Sequence, residues 1–158
     1  MEIISKTKHT DQTFIDALNN LLEINNDRID GYDHASKETD ESDLKTLFGK
    51  FKQTSMKCKK ELAVEVEKLG GKPIEGTRTT GKLYRAWMDI KAAITNKNRK
   101  AILSSCEFGE DVAVKNYELT LRDIFPSNFS AYHQLISKQY DMIKAEHDKV
   151  KHMRDIAG

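Results

Sequence analysis

SSCEFGEDVAVKNYELTL, residues 104–121, reads as part of a long helix over about 98–123. At about 100° per residue, Ile102, Leu103, Cys106, Ala113, Tyr117, Leu121 and Ile124 share one side. Glu110 falls in the same arc, whereas Glu107, Asp111 and Glu118 project sideways or outward. A carboxylate on the face that a helix buries needs a partner, because unpaired charge in a core is costly. The partner is a hydrogen-bond donor or a metal ion.

Outward from this helix the chain is punctuated sparingly, with 2 prolines and 8 glycines. Beyond FPSN, a helix from about residue 127 to the end aligns Tyr132, Ile136, Tyr140, Ile143 and Val150, with His147 at the centre of its stripe and His133 at the margin. Upstream of TNKN, LYRAWMDIKAAI (83–94) places Leu83, Trp87, Ile90 and Ile94 at spacings of three and four, and Trp87 is expected to close one side of the core. GGKPIEGTRTTG (70–81) reads as a loop too polar and flexible to pack. A helix over 42–69 aligns Leu44, Leu47, Phe48, Phe51, Leu62, Val66 and Leu69 and stops at Gly70-Gly71. Thr54, Ser55 and Cys58 interrupt its centre.

The first helix is expected to start from a cap at Thr10 or Asp11. Phe14, Leu18, Leu21, Leu22, Ile29 and Tyr32 form its stripe, Asn25 lies in the middle, and Glu23, Asp27 and Asp30 fall on the solvated side. Gly31 within this pattern costs about 1 kcal/mol relative to alanine, and the sequence offers no reason for it. His9, His34 and His152 read as solvated.

These elements predict an all-α single domain over residues 1–158, an up-down four-helix bundle with a long crossover carrying a short extra helix. Asn25 precedes Tyr32 by seven residues and Glu110 precedes Tyr117 by seven, so two related helical hairpins would face Asn25 and Glu110 across the bundle axis. With 26 Lys and Arg against 25 Asp and Glu, no global field attracts nucleic acid or an anionic membrane. The N-terminus, MEIISKTKHT, lacks a secretory apolar region, and no run approaches the roughly 18 apolar residues of a membrane span. The expectation is a soluble cytoplasmic protein with Cys58 and Cys106 reduced.

The segments LNNLLEINNDRIDGYDHA, LYRAWMDIKAAI, CEFGEDVAVKNYE and QYDMIKAEHDKVKHMRD resemble those of a bacterial ferritin-like bundle family, domain of unknown function 2383. The resemblance runs from about Asp11 to Asp155 and implies the ferritin-like fold, without an activity to carry over. In di-iron members of that fold two helices each supply a Glu and two supply Glu-x-x-His. The corresponding positions here hold Asn25, Ser55 with Cys58, Glu110, and Lys144 with His147, so two of six ligands match. A di-iron centre needs several carboxylates to neutralise two cations, and this pattern does not supply them.

Two functional readings follow. The first is a non-enzymatic ferritin-like bundle, serving in a stress response or as an interaction module, with a metal-free polar core joining Glu110, His147, Asn25, Tyr32 and Tyr117 in place of a degenerate site. The second is a mononuclear metalloprotein in which Glu110, His147 and Cys58 hold one divalent Zn, Fe or Mn ion, with Asn25 or water as fourth donor and Cys106 as an alternative sulfur. A core thiol beside His147 would alternatively be a nucleophile or redox sensor, although free cysteine usually packs as a small hydrophobe. A homodimer through an outer helix face, around Tyr84 and Met88, is a further expectation.

Overall fold

The computed structural model describes residues 2–157, with side chains from Thr10 onward, so the placing of the His9 side chain lies outside the described residues. Within them the chain is all-helical: α1 (Glu2–Glu38), α2 (Ser42–Lys68), α3 (Gly81–Thr95), α4 (Arg99–Asp123) and α5 (Ala131–Ile156). Helices α1 and α2 form one hairpin and α4 and α5 another, while α3, carried by the long connection, packs on α4 and touches α1. Helix α1 begins at Glu2 instead of at Thr10 or Asp11, since neither proline nor glycine interrupts residues 2–30. Helix α5 begins at Ala131, later than the expected residue 127.

Gly70 ends α2 as its sequence promises. It adopts φ +82°, a left-handed conformation open to glycine, while Gly71 N–H bonds the Val66 carbonyl at 3.0 Å. Gly31 finds its reason in α3. A Cβ built there would lie 2.3 Å from the Trp87 ring, so only a glycine lets the indole lie against the α1 backbone. Trp87 thereby closes one side of the core, and its ring meets Tyr32 edge-on at 4.7 Å.

The crossover corrects the picture of a loop too flexible to pack. Asn26 Nδ2 donates to the carbonyls of Ile74 and Gly76, each at 3.1 Å, and Asn19 accepts from Ile74 N–H at 3.0 Å. Arg78 N–H donates to Asp27 Oδ1 at 2.8 Å, and its guanidinium reaches Glu23 and Asn20. The polar face of α1 is thus a docking strip that satisfies the backbone of a segment with no ladder of its own. Asp27, expected to be solvated, is 4% exposed as a result, while Asp30 remains exposed.

The apolar interior is divided in two. One cluster joins Leu18, Leu21, Leu22, Leu62, Val66, Ala113, Ile136 and Ile143; the other joins Tyr32, Phe48, Phe51, Ile90, Ile102, Leu103, Cys106 and Val150. Along every long helix the switch from one cluster to the other falls at polar residues: Asn25 and Arg28 on α1, Ser55 on α2, Glu110 on α4, Glu146 and His147 on α5. A polar layer therefore crosses the middle of the bundle.

Candidate functional site

Arg28 organises that layer. Its side chain is fully buried, and it sits one turn after Asn25 on the inward face of α1. Nε donates to Glu110 Oε2 at 3.0 Å and Nη2 to Glu110 Oε1 at 2.6 Å, a two-pronged contact that a planar guanidinium makes and an ammonium does not. Nη2 also donates to Glu146 Oε1 at 2.7 Å, and Nη1 to Ser55 Oγ at 2.5 Å. Glu146 Oε2 accepts from the Thr54 hydroxyl at 2.6 Å. Thus the polar interruption in α2 supplies Thr54 and Ser55 to a cluster whose charges come from the other three long helices.

The rings of Tyr32 and Phe51 flank the cation, with Arg28 Cζ 5.3 Å and 5.9 Å from their centroids. One guanidinium thus faces two carboxylates in a water-poor interior. Burial pushes the Glu146 carboxyl above its ordinary range, against the opposing pull of Arg28 and Thr54. Burial is the largest single influence on Arg28 and disfavours its charge, yet Glu110, Tyr32 and Glu146 together outweigh it and hold the guanidinium protonated.

A second polar chain runs alongside. Asn25 Nδ2 donates to Tyr117 Oη at 2.9 Å, Tyr117 donates to Gln139 Oε1 at 2.7 Å, and Gln139 Nε2 donates to Glu61 at 3.1 Å and to the Cys58 carbonyl at 3.3 Å. Cys58 and Cys106 are free and buried. Burial pushes the Cys58 thiol up to about 12 and the Cys106 thiol higher still, the latter with help from Glu110.

The sequence-derived ligand candidates are therefore distributed over three places. Glu110 belongs to Arg28, and Asn25 is held by Tyr117, beside Cys58 on the neighbouring strip of α2. His147, 8% exposed, turns to the edge of the bundle, where Nε2 meets Asp111 and Nδ1 meets Asp148 Oδ1 at 2.9 Å. There the ligand atoms of Glu107, Asp111 and His147 lie within 4.8 Å of one another. Glu107, expected at the side of its helix, is 9% exposed and also paired with Arg154. Tyr84 and Met88 border a cleft between α1 and α3.

Sequence reasoning missed Arg28 and Glu146. The signal was present for both: each stands near the middle of an apolar stripe, at the level where the α2 stripe turns polar.

A family model described as domain of unknown function (DUF2383) matches residues 13–123. The chain belongs to the DUF2383 family. The match covers α2, α3, α4 and most of α1, and so includes Arg28, Ser55 and Glu110 of this DUF2383 chain. Helix α5, which brings Gln139, Glu146 and His147, lies beyond the matched residues. No curated protein matches the chain. No helix of the described residues is long and apolar enough to cross a membrane.

Proposed function

We propose that the protein is a non-enzymatic ferritin-like four-helix bundle in which the Arg28 guanidinium takes the place of a mid-bundle metal centre. The observation that carries this reading is the bond between Arg28 Nη2 and both Glu110 and Glu146 at 2.6 and 2.7 Å. A di-iron site uses carboxylates to neutralise two cations. Here the carboxylates already neutralise a fixed cation, and the remaining positions hold Asn25, Ser55, Cys58 and Lys144, so the residues present do not fit that centre. The bundle keeps the architecture, and its core is organised for rigidity. A part in a stress response or as an interaction module rests on analogy of fold.

A second reading, a single divalent ion, is favoured by the convergence of Glu107, Asp111 and His147. Two carboxylates and an imidazole suit Zn, Fe or Mn, and Asp148 on Nδ1 would fix the ring for coordination through Nε2. Of the sequence-derived set it retains His147, whereas Glu110 and the Cys58 thiol are engaged or held protonated elsewhere. Metal analysis of protein purified without chelators, with thermal unfolding in added Zn²⁺, Fe²⁺ and Mn²⁺, separates the two. The leading reading expects substoichiometric metal and an unchanged midpoint. Stoichiometric metal lost on Asp111→Ala with His147→Ala would establish the second; metal lost on Glu110→Ala would overturn the role given to Arg28.

A further inference from the structure

Glu107 on α4 is 9% exposed, and among the described residues its one cationic partner is Arg154, from the last turn of α5. Arg154 has a second partner as well. Its Nε and Nη2 donate to Asp155 Oδ1 at 3.2 and 2.8 Å, and the Asp155 side chain lies in solvent. One guanidinium is thus shared between an inner carboxylate, through Nη1, and an outer one, through its other two nitrogens. It can leave Glu107 and still keep an ion pair.

Beside Glu107 lies a donor set for a cation of higher charge. The ligand atoms of Glu107, Asp111 and His147 converge within 4.8 Å of one another. Asp148 Oδ1 is 2.9 Å from His147 Nδ1 and is itself held by Lys144 Nζ at 2.6 Å, which fixes the imidazole with Nε2 turned to Asp111. Metal-bound histidines are oriented through their other ring nitrogen in this way. The Asp111 side chain is 58% exposed and gives an ion its approach from solvent, while three protein ligands leave a position for water. A divalent ion would bring two charges to Glu107 and Asp111, where the guanidinium brings one to Glu107 alone.

We infer that Arg154 is the resident cation of this edge site, and that a divalent transition-metal ion such as Zn²⁺ binds by displacing it, the guanidinium being retained by Asp155. The inference rests on the reading of Glu107, Asp111 and His147 as ligands of one ion, and adds to it a built-in competitor that lowers the affinity of the metal-free protein. Occupancy is thereby coupled to the last turn of α5, since Arg154 ties that turn to α4.

Calorimetric titration of the intact chain with Zn²⁺, after chelator treatment and dialysis, tests this. Arg154→Gln removes the charge and keeps a polar side chain; Arg154→Met, also neutral, serves if the first variant fails to fold. Saturable binding is expected, about tenfold or more tighter in the neutral variant than in the parent, because no ion pair has to be broken. Arg154→Lys keeps the charge and should stay near the parental affinity. Adding His147→Ala to Arg154→Gln should abolish the binding, which separates this site from exposed histidines such as His34 and His152. Equal affinity in the parent and the neutral variant overturns the competitor role of Arg154 and leaves the metal site standing. An equal gain in Arg154→Lys overturns that role too. No saturable binding to parent or variant, or binding that survives His147→Ala, overturns the metal reading and this inference with it.

Discussion

Arg28 and Glu110 meet through two parallel hydrogen bonds, Nε to Oε2 at 3.0 Å and Nη2 to Oε1 at 2.6 Å, with both side chains essentially removed from solvent. Buried pairs of this kind are stabilising only in the sense that each partner needs the other. Arg28→Ala leaves Glu110 and Glu146 facing each other without a cation, and should lower the unfolding free energy by about 3–5 kcal/mol in urea titrations. Replacing the whole cluster at once, as Arg28→Met with Glu110→Leu and Glu146→Leu, removes the desolvated charges together and should recover most of that loss. If the single variant were as stable as the parent, the polar layer would have no structural weight.

Asp27 gives the protein a pH dependence of predictable sign. Burial raises its folded-state pKa to about 6 from an ordinary value of 3.8. Between those values the folded form holds a proton that the unfolded chain has released, so stability falls as pH rises through the window and levels off above about 6. Because solvent screens part of the interaction, the drop due to this group is about 1–2 kcal/mol. Urea unfolding of parent and Asp27→Asn from pH 4 to 7 measures it: the difference between the two curves should change across that window. A constant difference would mean that Asp27 titrates alike in both states.

What the sequence reveals is governed by periodicity. The four long stripes, the stop at Gly70 and the short α3 are local patterns, and each maps onto a helix. The interruption at Thr54 and Ser55 and the inward phase of Glu110 are legible too; Ser55 and Glu110 bond the Arg28 guanidinium directly, and Thr54 is joined to it through Glu146. What periodicity hides is pairing between distant segments. Asp27 and Asn26 sit on the polar side of α1, and only the docked crossover shows why that side is buried. Arg28 belongs to the same class of omission, since a fully buried arginine is rare enough that composition argues against it until two carboxylates are seen beside it.

Gly31 is the position where helix propensity and packing conflict most plainly. On an exposed helix Gly31→Ala would gain about 1 kcal/mol. Here the new Cβ would lie 2.3 Å from the indole of Trp87, so α3 must shift or the ring must leave its site. The net result should be destabilisation of about 1–3 kcal/mol by urea unfolding. Adding Trp87→Leu should make Gly31→Ala nearly harmless, and the double-mutant cycle gives the coupling directly. Additive effects would separate the two residues.

Cys58 and Cys106 should be chemically silent in the folded state. Both are completely buried, and burial pushes the Cys58 thiol up to about 12. The thiolate is the reactive form, and burial disfavours it for Cys58 even before access is considered. A chromogenic disulfide reagent should therefore modify neither cysteine in native protein and both in urea, with the native rate rising as the global unfolding population rises. Rapid modification of one thiol without denaturant would instead require a local opening of the bundle beside α2 or α4. In that case the thiol would have access to oxidants that the closed core denies it, and the redox reading of Cys58 or Cys106 would regain its physical basis.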